Sequence, residues 1–129
     1  MKISVKRLGH IQLSIPPGAE DRARQFYGGI LGLEEIEKPD ALKPSGGMWY
    51  LIADIQLHIG IEDGQVRSKR HPAFEVEELD AVKKYLREHG VEIREETRIP
   101  GVERFSLFDP FGNRIELFER LEEEAADSP

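Results

Sequence analysis

The two halves of this chain repeat one another. At a shift of 58 positions Ala23 falls on Ala81, Tyr27 on Tyr85, Gly32 on Gly90 and Glu34 on Glu92, and the same shift carries His58 onto Glu116. His10 and His71 lie 61 positions apart, and the extra loop Pro16-Pro17-Gly18, absent from the second half, accounts for the offset of three. Two copies are too few for a solenoid. Repetition on this scale predicts a duplicated domain in which each copy is one supersecondary unit. The whole chain of 129 residues fits one domain of ordinary size.

Both halves predict the same order of elements. In the first module, about residues 8–62, Leu8 to Ile15 alternates polar and apolar residues and predicts a strand. Glu20 to Leu31 predicts a helix, with Ala23, Phe26, Tyr27 and Ile30 at helical spacing and Gly32 as its stop. Leu33 to Glu37 predicts a short strand and Lys38 to Gly47 a loop. Met48 to Ala53 and Ile55 to Glu62 then predict a hairpin. The polar and basic segment 63–70 joins the halves; Arg67, Lys69 and Arg70 suit a solvated linker and, less readily, an anionic ligand.

In the second module, about residues 71–119, Pro72 to Val76 predicts a strand. Leu79 to His89 predicts a helix with Leu79, Val82, Tyr85 and Leu86 on one side. Strands follow at Val91 to Glu95, Glu103 to Phe108 and Asn113 to Glu119, the last after a turn at Asp109-Pro110-Phe111-Gly112. The acidic tail 120–129 predicts a frayed end.

Successive strand side chains face opposite sides of a sheet. On that parity His10, His58, His71 and Glu116 all lie on the polar side of an otherwise apolar strand, while the apolar sides bury against the two helices. The chain has only four histidines, and three of them fall on this pattern. Imidazoles and a carboxylate delivered to equivalent places by a repeat suit a metal site; a half-solvated face carrying polar residues by default is the plainer alternative. His89, at a helix end, serves as a control with no assigned role.

With no cysteine, disulfide and thiolate chemistry are excluded. No stretch approaches the length of a membrane span, and a cytoplasmic protein is expected. The net charge of −7 argues against nucleic-acid binding.

Several segments together resemble the vicinal oxygen chelate superfamily, which holds glyoxalase I, bleomycin- and fosfomycin-resistance proteins and extradiol dioxygenases. They are Gly9-His10-Ile11-Gln12, Phe26-Tyr27-Gly28 with Leu31-Gly32-Leu33, Leu57-His58-Ile59, His71-Pro72-Ala73-Phe74, and Asp109-Pro110-Phe111-Gly112-Asn113-Arg114-Ile115-Glu116-Leu117. The resemblance implies an α+β fold of two βαβββ modules, with curled mixed sheets forming a cup around a divalent metal, and pairing of chains into a homodimer. It matches His10, His71 and Glu116 to the family's ligands. His58 falls where glyoxalase I-like members place a glutamate, a departure that keeps a donor but removes a negative charge.

The ligand set His10, His58, His71 and Glu116 suits Fe, Mn, Co, Zn or Ni without choosing among them. It leaves positions for a small substrate presenting vicinal oxygens. Glu116 is the candidate catalytic base. Arg104 and Arg114 suit a substrate anion, although Arg114 shares the face of Glu116 and a pairing between those two is the better expectation. Trp49, Tyr50, Phe108 and Met48 suit a pocket wall, and core packing suits each of them as well. The functional expectation is a metal-dependent enzyme, a lyase, an isomerase or a dioxygenase. The alternative is a metal-free dimeric protein that binds a drug or other ligand, of the bleomycin-resistance kind.

Overall fold

Each half of the chain forms a four-stranded mixed sheet with the same strand order. The structure, a computed structural model, describes residues 1–64 and 67–121. Part of the predicted linker and all of the acidic tail beyond Leu121 lie outside the described residues. The chain divides into two compact units, Met1–Gln65 and Val66–Pro129, and the boundary falls in the predicted linker.

In the first unit β1 (His10–Ile15), β2 (Glu35–Ile36), β3 (Met48–Ile52) and β4 (Ile55–Ile61) assemble in the order β1-β4-β3-β2. β1 runs parallel to β4, and the other pairs are antiparallel. In the second unit β5 (Ala73–Glu75), β6 (Glu92–Glu95), β7 (Val102–Phe108) and β8 (Arg114–Arg120) repeat this as β5-β8-β7-β6, with β5 parallel to β8. The expected α+β fold of two βαβββ modules is therefore present, as two sheets.

The first helix differs from expectation. Glu20–Ala23 (α1) is α-helical, but Arg24–Ile30 continues as a π-helix. Leu31 donates to Phe26 five residues back at 2.9 Å. Gly28 and Gly29 fall in this stretch, where glycine supports an α-helix poorly. Tyr27 is fully buried and its ring lies 6.1 Å from that of Tyr50 on β3, which seats the helix on the sheet. α2 (Leu79–Glu88) packs against β6 and β8 through buried Leu79 and Leu86. Tyr85, expected on that buried side, is exposed, and its ring lies 4.3 Å from that of His89 at a tilt of 38°.

Both helices stop where the sequence places glycine, at Gly32 (φ 70°) and Gly90 (φ 74°). Gly47 is required for another reason. At the start of β3 a Cβ on it would stand 2.0 Å from the carbonyl oxygen of Ile59.

The core of each unit follows strand parity. Ile15, Met48, Tyr50, Leu57 and Ile59 are buried in the first, and Phe105, Leu107, Ile115 and Leu117 in the second. Among the described residues no helix is long and apolar enough to cross a membrane.

Candidate metal centre

The opposite face of each sheet carries the polar candidates. In the first unit β1 contributes His10 and Gln12, and β4 contributes Gln56 and His58, with Gln12 paired to His58 in register. Trp49 on β3 is the antiparallel partner of His58. These neighbours form a stack across three strands. The His58 ring lies 3.7 Å from Trp49 at 2° between planes and 4.0 Å from His10 at 15°. The His58 Nε2 is 2.9 Å from the side-chain oxygen of Gln56. Burial, then the neighbouring His10 and Lys38, lower the His58 pKa and favour its neutral ring. The stack borders a cleft of about 750 Å³ that Gln12, Gln56, Lys38, Ser45 and Leu42 also line. Trp49 is thus a wall of this cleft, whereas Met48 and Tyr50 belong to the core.

In the second unit Ala73 of β5 and Ser106 of β7 flank Glu116 of β8 in register. His71 stands just before β5. Its Nε2 is 3.4 Å from Glu116 Oε1, and its Nδ1 is 2.7 Å from the Lys69 carbonyl. A carbonyl can only accept, so it holds the hydrogen on Nδ1, and in the neutral ring the lone pair is on Nε2, facing the carboxylate. Two donors bonded to one cation at roughly 2.0–2.2 Å stand roughly 3.0–3.5 Å apart, and His71 with Glu116 falls in that range. A backbone acceptor on the far nitrogen is also what orients a ligating imidazole. The spacing of this pair therefore suits two donors to one divalent metal.

The predicted residues thus come together as two pairs, His10 with His58 and His71 with Glu116, one in each unit. Among the described residues no group of three or more His, Cys, Asp or Glu side chains is arranged to hold a metal ion. The two pairs are equivalent under the repeat: His10 is two positions before Gln12, the β1 partner of His58, and His71 is two before Ala73, the β5 partner of Glu116.

The arginine assignments change. Glu116 pairs with Arg104, whose Nη1 donates to Oε1 at 3.1 Å, and not with Arg114. Arg114 instead meets Glu96 and donates through Nε to Ser106 at 3.2 Å. Cross-strand register decides this, because Ser106 lies opposite Glu116 and so places Arg104 diagonal to the carboxylate. Glu96 was not singled out by the sequence, although it continues the parity of Arg94 past the end of β6. Burial acts to raise its pKa, but hydrogen bonds from Ser106 and Arg114 overcome this and hold its carboxyl below the usual range.

Arg114, Arg94, Lys69, Arg67 and Ser68 line a cavity of about 250 Å³ beside Phe108. Arg67 lies 4.1 Å over the Phe108 ring and grips Glu92 through both terminal nitrogens at 2.9 and 2.6 Å. Residues 67–70 are all exposed, and Arg67 among them is also held to the second unit. Gln56 and Lys38 were also missed. Gln56 carried a signal, its shared parity with His58; Lys38, in an irregular loop, carried none.

The profile of the Glyoxalase/Bleomycin resistance protein/Dioxygenase superfamily matches residues 7–117. A protein from Bacillus anthracis assigned to the glyoxalase family is 42% identical, over 94% of this chain and 100% of that one, with a TM-score of 0.87. The fosfomycin resistance protein FosX from Listeria monocytogenes is 27% identical, over 96% of this chain and 98% of that one, with a TM-score of 0.77. A mutant of FosX complexed with Mn(II) and 1S,2S-dihydroxypropylphosphonic acid is 25% identical, over 97% and 100%, with a TM-score of 0.78. No curated protein matches.

Proposed function

This chain belongs to the Glyoxalase/Bleomycin resistance protein/Dioxygenase superfamily, and from that membership we propose that it is a metal-dependent enzyme acting on a small molecule with adjacent oxygens. His10, His71 and Glu116 are its protein ligands. The observation that carries the reading is the His71–Glu116 pair, at a spacing suited to one cation and with the imidazole oriented through its far nitrogen. The Mn(II) held by the FosX mutant supports a divalent ion of the Fe, Mn, Co, Zn or Ni group. Such an ion supplies Lewis-acid stabilisation of negative charge developing on a chelated oxygen.

The protein's own groups do the rest. The contacts of Glu116 with His71 and Arg104 both fall on Oε1, which leaves Oε2 to accept a substrate proton. The cavity lined by Lys69, Arg94 and Arg114 suits an anionic arm of the substrate, with the Phe108 ring as an apolar wall. The Trp49 ring, in the wall of the first unit's cleft, suits an apolar portion. Homodimerisation, with modules of two chains supplying one centre, belongs to the same reading.

One observation favours the rival, a metal-free binding protein. Arg104 already neutralises Glu116 without an ion. Elemental analysis of protein purified without chelator, beside His71→Ala, separates the two. The enzyme reading expects close to stoichiometric metal that the variant loses. Less than about a tenth of an equivalent after reconstitution, or equal retention by both proteins, rejects it. Oxygen uptake with Fe(II) and a panel of catechols then divides dioxygenase from lyase or isomerase.

A further inference from the structure

We propose that His58 is not a metal ligand but a positioning residue, the middle ring of a Trp49–His58–His10 stack that fixes the plane of the His10 imidazole. The inference rests on the reading of His10 as a ligand.

A metal bound to an imidazole lies in the ring plane, along the nitrogen lone pair. Two imidazoles can share an ion only if their planes meet at about one bond length, roughly 2.0–2.1 Å, from a nitrogen of each. The His10 and His58 rings are stacked with centroids 4.0 Å apart and planes only 15° from parallel. Planes so nearly parallel converge far beyond that distance, so one ion cannot lie in both.

The rest of the His58 environment agrees. Trp49 covers its other face at 3.7 Å and 2°, which leaves the ring no freedom to turn toward a shared point without breaking that contact. Its Nε2 is already engaged by Gln56 at 2.9 Å. The residue is 7% exposed, whereas His10 is open to solvent. A buried ring clamped on one side and presenting a flat face on the other is a template for the exposed ring. Holding His10 in one orientation before the ion arrives removes rotamer entropy that binding would otherwise have to overcome. The repeat sharpens the contrast. The counterpart of His58 is Glu116, which presents an oxygen at donor distance from its own histidine, while His58 presents a ring face.

Co(II) titration of the full chain tests this, with the ligand-field bands as a readout that a merely structural role would not move. The variants are His58→Phe, which keeps a stacking ring but no donor, His58→Ala, which keeps neither, and His10→Ala as the reference for a lost ligand. The expectation is that His58→Phe binds Co(II) within about twofold of the native protein with unshifted bands, and that His58→Ala binds about tenfold or more weakly, as orienting neighbours of ligands do. Thermal melts of the metal-free variants separate unfolding from lost affinity. If His58→Phe loses Co(II) as His10→Ala does, or shifts the bands, His58 is a ligand and the inference fails while the metal reading survives. If His58→Ala binds as tightly as the native protein, the stack positions nothing. If the native protein binds no Co(II), the metal reading falls and the role of His58 falls with it.

Discussion

Replacing Arg104 by methionine should move two properties in opposite directions. Arg104 donates to Glu116 Oε1 at 3.1 Å, and the two side chains are 20% and 11% exposed. The pair lies between the exposed case, worth about 0–1 kcal/mol, and the fully buried one, where removing a partner costs about 3–5 kcal/mol. A loss of about 1–3 kcal/mol is expected for the metal-free protein. At this chain length that corresponds to a fall in Tm of about 3–12 °C. Metal binding should respond the other way. An ion on the same carboxylate oxygen can stand no farther from the donating Nη1 than the two contacts end to end, roughly 5 Å. Two charges facing one at that distance repel by about 1.7 kcal/mol even at the dielectric of water, so removing the arginine should tighten binding about tenfold or more. Differential scanning fluorimetry across a Co(II) or Mn(II) titration reads both effects, as a lower starting Tm and a larger metal-induced rise. An Arg104→Met protein that keeps its metal-free Tm, or binds metal more weakly than the native chain, refutes the view that arginine and metal compete for Glu116.

Two further outcomes concern the scaffold. Tyr50 is fully buried, and its hydroxyl has no hydrogen-bond partner among the described residues. Burial pushes its pKa up to about 12, so its contribution is intact below about pH 10 and is lost as pH rises through the folded value. Tyr50→Phe should therefore equal or exceed native stability by up to about 1 kcal/mol at neutral pH and show a smaller alkaline loss in urea melts; a large destabilisation would mean that the hydroxyl has a partner. Glu119 of β8 accepts from the backbone N–H groups of Glu78 and Leu79, each at 3.0 Å, and so caps α2. Glu119→Ala should cost about 1–2 kcal/mol by chemical denaturation while leaving metal content unchanged, and a loss of metal would place Glu119 in the centre's support.

The features legible in the sequence are those set by local periodicity. Strand parity placed His10, Gln56 and His58 on one face and Arg114 with Glu116 on another, because alternation needs no knowledge of partners. Gly32 and Gly90 marked the helix ends because a left-handed residue is a local requirement. The misreadings needed relations between elements. The choice of Arg104 over Arg114 depends on which β7 residue lies opposite Glu116, and the capping of α2 by Glu119 joins residues about forty apart. The π-helix at Arg24–Ile30 shares its apolar spacing with an ordinary helix until the hydrogen bonds are seen. The histidines show both sides of this. Duplication put His10 and His71 at equivalent positions relative to β4 and β8, but the sequence alone gathers all four residues into one ligand set, and the separation into a pair in each unit emerges only with the structure. The pairs differ in geometry at one position of the repeat: Glu116 presents an oxygen to its histidine, whereas the His58 ring lies flat against its own. The same duplicated backbone thus yields one imidazole–carboxylate pair and one stacked pair.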